Sequence, residues 1–499
     1  MSTINKITQE TVKTRKSLIG IFLPGCFLLL IALGGCKKFL EMPLKDKVPQ
    51  EALFNDEQGF IDALTGVYLG MDKPASVPMK GLYTYDLSVG MLSVMVNNYT
   101  NASTSVLGDN LFANAYKYDY NQLGVKQEIG FIWSGMYNNI ANLNNMLGYV
   151  DAKKSLFSRD HYYKVKGEAL ALRALFHFDL VRLFGQSPST GLNEKAIPYI
   201  TSFTAKSTPF VSLNAALDSC IVDLNKAKTV LAQADTSAIN QGNTDLSSGY
   251  TQNHMNYWAT KACLARIYLY KGDYASAMAN AKEVIASNKF PLSTSNVAVA
   301  TAGTRDRLFS KELVFAVYST NVNTINESMF NVAQGTSLQL AATNKNAIYG
   351  TTAPLDWRLS WFDNNPAKAF NVPSKFFQNP GLPYAMQNIV PLIRISEMYY
   401  ILAESANALG ALPAGLSYLN MVRSARGLNP LTAAEVPDGV ALSAEITKEY
   451  KKEFIQEGQT FFYYKRLNKD LKVESGTTVN VPANPYVFPV PDKEREYNQ

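Results

Sequence analysis

The chain carries 28 Tyr, 25 Phe and 4 Trp among 499 residues, and Tyr alone outnumbers what a core requires. Rings with a polar edge suit surfaces that are half wet and half apolar, such as sugar platforms and protein interfaces. Two stretches without helical period concentrate them. The first, residues 71–124, holds Tyr83, Tyr85 and Tyr99 beside Asn98, Asn101 and Asp109. The second, within 292–390, holds Tyr349, Trp357 and Trp361. Flat rings take the C–H face of a pyranose, and amide, carboxylate and guanidinium groups take its hydroxyls. Any one such ring is more often core than platform, yet at least two of these side chains are expected to touch a ligand. Asp356 and Arg358 flank Trp357 and are expected to pair, fixing its loop. Trp133 sits in a helical pattern and reads as core.

Carboxylates offer a second chemistry. Glu397 with Glu404, and Glu453 with Glu457, lie close along helical stretches. A glycosidase needs two carboxylates flanking the bond across a cleft, ~5–10 Å apart. Pairs on one helix face Lys448, Lys452 or Arg neighbours instead, so solvated ion pairs are expected and catalysis is not. His161, His177 and His254 form no ligand pair at helical spacing, so no catalytic zinc, other metal or cofactor is assigned. Cys220 and Cys263 fall inside helical patterns and read as buried free thiols in preference to a disulfide.

Cys36 has a different chemistry. Leu18 to Cys36 is an apolar run behind Lys13, Arg15 and Lys16, ending Leu33-Gly34-Gly35-Cys36. That pattern is a secretory signal peptide over 1–35, and its ending looks like a bacterial lipobox, in which the cysteine becomes residue one and carries diacylglycerol. A retained anchor is the alternative, since ~20 residues suffice to span a bilayer; Pro24 and the Gly34-Gly35 pair weaken it. Cys26 is a poorer candidate, because its apolar core is too short. The signal accounts for half of the net charge of +6. The mature chain shows no basic stripe, and nucleic acid is excluded.

The positioning elements read as helices. After a tether over 37–50, Phe54 to Leu69 has helical spacing, with Asn55 to cap it and Gly70 to end it. Glu128 to Val150, Arg159 to Phe184, and Leu213 to Leu231 behind Ser212 follow. Asp235 to Gly249 is polar and expected to be mobile. Asn256 to Tyr270 and Tyr274 to Ser287 form a hairpin about Lys271-Gly272-Asp273. Its series Leu264-Ala265, Tyr268, Gly272, Tyr274, Ala277, Ala281 resembles a tetratricopeptide repeat, and Leu402-Ala403, Ala406, Gly410, Gly415, Leu419 repeats the phrase. Leu313 to Tyr318 is a short strand, and Leu442 to Leu467 a single helix.

The order of these phrases resembles the SusD/RagB family of surface lipoproteins. The carriers are Cys36-Lys37-Lys38-Phe39-Leu40, WSGMYNNIAN from Trp133, GEALALRALFHFDLVRLFG at 167–185, Pro391-Leu392-Ile393-Arg394 leading to Glu397, Glu453-Phe454 with Glu457-Gly458, and the closing VFPVPDKEREYN. Gln459 and Phe462-Tyr463-Tyr464-Lys465-Arg466 depart from the family's usual wording. The resemblance implies a mostly α, tetratricopeptide-like scaffold with long irregular inserts, one domain over 36–499 with halves of about 36–290 and 291–499. It also implies an outer-membrane lipoprotein anchored at Cys36 that captures oligosaccharides and passes them to a SusC-type TonB-dependent transporter. A tetratricopeptide-like adaptor for a peptide or protein is the alternative.

Overall fold

The computed structural model describes residues 50–72, 81–100, 110–234, 249–293, 305–330, 338–351, 356–364, 370–377, 381–383, 386–471 and 480–497. The signal peptide, Cys36, the tether over 37–49, and 235–248 lie outside the described residues. Residues 1–55 and 56–499 are separate compact units. In the first, the described part is a helical turn, Gln50–Leu53. Among the described residues no helix is long and apolar enough to cross a membrane.

The second unit is built on helices that stack in chain order. Glu57–Asp72 (α1) packs on Leu123–Val150 (α2), α2 on His161–Phe184 (α3), and α3 on Leu213–Leu231 (α4). Then come the hairpin Tyr257–Lys271 (α5) and Tyr274–Ala286 (α6), and a second hairpin, Ile395–Ala408 (α7) and Leu412–Ala425 (α8). α4 packs on α5, and α6 on α7. Every residue from Gly167 to Phe184 is buried, because α3 is enclosed by neighbours and a helix so placed has no polar face to keep.

Local chemistry sets the ends. The Ser212 side chain accepts a hydrogen bond from Ala215 N at 3.2 Å, and Asn256 accepts from Trp258 N and Ala259 N. Each satisfies amide groups that a first turn leaves unpaired. Both hairpins turn on a left-handed glycine, Gly272 at φ +86° and Gly410 at φ +78°, a region that costs other residues steric strain. Gly70 behaves otherwise than expected. α1 runs through it to Asp72, and a Cβ there would lie 2.3 Å from Asn139 Oδ1. The residue grants close packing on α2, and the cap of α1 is Asp56, whose Oδ1 accepts from Gly59 N.

Strands join the parts that helices do not. Lys195–Pro198 (β1) pairs antiparallel with Phe210–Ser212 (β2). Leu313–Tyr318 (β3), the strand read from sequence, pairs antiparallel with Ile389–Arg394 (β7). Leu340–Ala341 (β4), Phe362–Asn364 (β5) and Phe370–Pro373 (β6) form a sheet in the order β4-β6-β5.

The single helix expected over 442–467 is two, Gly439–Glu453 (α9) and Gln459–Arg466 (α10). Between them Gln456 and Gly458 take φ +64° and +70°. A Cβ on Gly458 would sit 1.9 Å from Leu87 O, so the break lets residues 87–88 approach.

Candidate functional site

The first insert is largely interior. From Gly81 to Met95 every residue but Tyr85 is buried. Tyr83 donates its hydroxyl to Asp179 Oδ2 at 2.6 Å, and Tyr99 donates to Val89 O at 2.7 Å. Burial, then the Asp179 charge, pushes the Tyr83 phenol well above its usual range. In the second insert Tyr349 donates to Lys452 O at 2.9 Å, and Trp361 Nε1 to Arg307 O at 2.7 Å. All four rings are buried, so as platforms Tyr83, Tyr99, Tyr349 and Trp361 are corrected to core. A buried ring with a polar tip persists only if the tip finds a partner. Here carbonyls and one carboxylate serve, which accounts for part of the tyrosine excess.

Tyr85, Asn98 and Trp357 remain partly accessible. Tyr85 lies 6.1 Å from the Phe112 ring, centroid to centroid. Asn101 and Asp109 lie outside the described residues. Trp133 is core, as expected, edge-on to Phe184.

The two inserts meet. Thr100 N donates to Gln339 O at 2.7 Å, and Ala341 N donates to Thr100 Oγ1 at 3.0 Å. The Tyr99 and Phe330 rings pack at 5.5 Å. Thr100 therefore docks against the start of β4. Two inserts, read separately from the sequence, share one seam. Nothing in the local pattern signals a pairing across some 240 residues.

Trp357 is held from behind. Asp356 and Arg358 pair as expected, with Nε and Nη2 donating to the two carboxylate oxygens at 2.8 and 2.7 Å. Trp357 N donates to Arg426 O, and its indole occupies the space beside Gly427, where a Cβ would fall 2.2 Å from Nε1.

Arg358 also opens a buried charge network that the sequence reading placed in solvent. Arg358, Arg394 and Arg426 converge on Glu453, and all four are wholly buried. Arg426 forks onto Glu312 with two bonds of 2.8 Å. Arg358 also reaches Glu449, and Arg394 reaches Glu457 beside Lys375. Glu397 forks with Arg266, and Glu404 with Arg466. Glu397, Glu453 and Glu457 are thus interior and Glu404 half-buried, and all crosslink distant elements, each carboxylate committed to a guanidinium. Burial raises the Glu453 pKa, but Arg426 and Arg394 outweigh it and hold the carboxyl well below its ordinary value.

Cys220 and Cys263 are free and buried. Burial pushes the Cys263 thiol up to about 12 and raises Cys220 as well. Among the described residues no group of His, Cys, Asp and Glu could hold a metal ion.

Apart from the seam, a cavity of about 380 Å³ opens between α1, the start of α3, the turn at 249–254 and the edge of β3 and β7. Tyr68 donates its hydroxyl to Glu168 Oε2, and His254 Nδ1 lies 3.0 Å from the same oxygen.

Residues 79–269 match the family model described as "SusD-like, starch-binding associating with outer membrane", and 384–484 match the SusD family model. A SusD-like protein of Formosa agariphila is 24% identical over 368 residues, 62% of this chain and 68% of that one. Among solved structures, a SusD superfamily protein from Bacteroides fragilis superposes with a TM-score of 0.69 at 21% identity, covering 89% of this chain and 99% of its own. A SusD-like carbohydrate binding protein from Bacteroides vulgatus gives 0.67 at 16%, covering 89% and 96%. The two matched regions together span more than half of the residues and include Thr100 and the Arg394–Glu453–Glu457 cluster, and the chain belongs to the SusD/RagB family.

Proposed function

We propose that this chain is a cell-surface lipoprotein of the outer membrane that binds an oligosaccharide and delivers it to a SusC-type TonB-dependent transporter. Diacylglycerol on Cys36 anchors it, and residues 36–499 act as one glycan-binding domain without hydrolysing the ligand. The observation that carries this reading is the seam at Thr100 and Gln339, which joins both ring-bearing inserts. Tyr85 and Trp357 supply ring faces and Asn98 an amide, the combination that grips a pyranose. Asn101 and Asp109 complete the proposed set of ligand-contacting side chains.

Affinity electrophoresis and calorimetry on the chain lacking residues 1–35, across a polysaccharide panel that includes starch, test it. At least one polysaccharide should bind, with binding weakened by Tyr85→Ala or Trp357→Ala and no new reducing ends. Tight peptide binding with no polysaccharide bound overturns it in favour of an adaptor. Cys36→Ala should abolish radioactive palmitate incorporation; a mutant that stays acylated removes the anchor.

A further inference from the structure

The cavity beneath α1 has a chemistry unlike that of the seam and shares no residue with it. Its walls are mainly aliphatic and aromatic, with Ile61 and Leu64 from α1, Val165 from α3, and Val317 and Ile389 from β3 and β7. Leu69 and Tyr318, also on its lining, are 60% and 38% exposed, so it opens to solvent beside them. A volume of about 380 Å³ falls in the range of small-molecule pockets.

Among the polar groups on these walls, one is a carboxylate. Glu168 is 4% exposed. Both of its hydrogen bonds, from the Tyr68 hydroxyl and with His254 Nδ1, fall on Oε2. Tyr68 is itself fixed, accepting from Met255 N at 2.8 Å. Among the described residues Oε1 takes neither bond. Two basic side chains on the lining are engaged elsewhere, Lys164 with Asp160 at 3.0 Å and His161 with Glu57. A carboxylate oxygen in an apolar pocket gains most from a donor delivered by a ligand.

We infer that this cavity is a second binding site, for a ring-sized apolar group ending in a hydrogen-bond donor, with Glu168 Oε1 accepting from that hydroxyl or ammonium. The apolar body lies against Leu64, Val165 and Ile389, and Tyr68 with His254 hold the carboxylate in place. The site is independent of the glycan reading, and either can fail alone.

Three probes share one body and differ in the head: para-biphenylmethanol, para-biphenylmethylamine and para-biphenylcarboxylate. Titrated calorimetrically into the folded chain lacking residues 1–35, the alcohol and the amine should bind saturably. The carboxylate should bind at least about tenfold more weakly, since two acceptors meet. Glu168→Gln supplies an amide donor and should erase that preference, an outcome that a merely structural role does not produce. Thr65→Trp places a large ring from an exposed residue of α1 into the cavity lining and should weaken the alcohol and the amine together. No binding of any probe by the parent chain overturns the inference, as does a head-group preference that survives in folded Glu168→Gln. Should that variant not fold, Thr65→Trp decides: unchanged affinity for the alcohol and amine overturns the site, and lost affinity supports it.

Discussion

Arg426 grips Glu453 with both arms of its guanidinium, Nε donating to Oε2 at 3.0 Å and Nη2 to Oε1 at 2.6 Å, with neither side chain reaching solvent. Arg358 and Arg394 donate to the same carboxylate. Glu453 is therefore the shared anion of three cations, whereas Glu449 is bonded to one of those three, Arg358, and Glu457 to one, Arg394.

Removing that anion should be costly. Glu453→Ala leaves buried guanidinium groups under-compensated, a change worth about 3–5 kcal/mol when one partner of a buried pair is lost. Urea unfolding measures it. A loss comparable to that of an exposed pair such as Lys448–Glu445, below about 1 kcal/mol, contradicts the anchoring role.

Acid should unfold the chain through the same groups. Glu449 is pushed up by burial and pulled down further by Arg358, Lys452 and Arg423, for a net lowering from 4.5. Glu453 is lowered further still. For a lowered carboxyl the unfolded chain binds protons first, so the stabilisation is complete above the ordinary value of 4.5 and is lost as pH falls toward the folded pKa. Calorimetric Tm should be level above that value and drop steeply below it, with a shallower drop in Glu449→Gln. A Tm unchanged into strong acid refutes the linkage.

Gly427 should be irreplaceable for two separate reasons. Its φ is +79°, and a Cβ would enter the Trp357 indole. Gly427→Ala should cost about 1–3 kcal/mol and shift the tryptophan emission, because Trp357 must move. Under the proposed function it should also weaken glycan binding. An unchanged spectrum and melting curve argue against the contact.

Cys220 and Cys263 should resist modification in the folded state. Burial denies access and disfavours the thiolate, the reactive form. Ellman's reagent should react with them only after denaturant is added. In the chain lacking residues 1–35 and carrying Cys36→Ala, prompt reaction of the native state contradicts the burial.

Residues whose fate is decided within a few positions were legible. Ser212 opens α4, α5 begins beside Asn256, and the short apolar run from Leu313 to Tyr318 is β3. What depends on distant partners was not legible. Ring type does not distinguish Trp361, enclosed by Phe309 and Arg307, from the half-buried Trp357. The helical period across Phe454 is uninterrupted in sequence, since the need for a break at Gly458 arises from Leu87, which is remote in the chain. Glu453 looked solvated because the arginines that bury it lie 27 to 95 positions away. Within the expected loop over 71–124, the stretch Gly81 to Met95 is corrected to mostly core in the same way. Gly81 to Met95 lacks period because it is enclosed on most sides, and such a segment has no wet face to alternate with.

The spacing of Glu312, Arg358, Arg394, Arg426 and Glu453 along the chain orders its biogenesis. A ribosome supplies all three arginines before the glutamate that unites them. Until Glu453 emerges, those cations have only part of their compensation, and the elements that carry them have reason to stay open. Nascent or prematurely terminated chains should accordingly remain soft to proteases up to the point where Glu453 and Glu457 appear, and then close in one step.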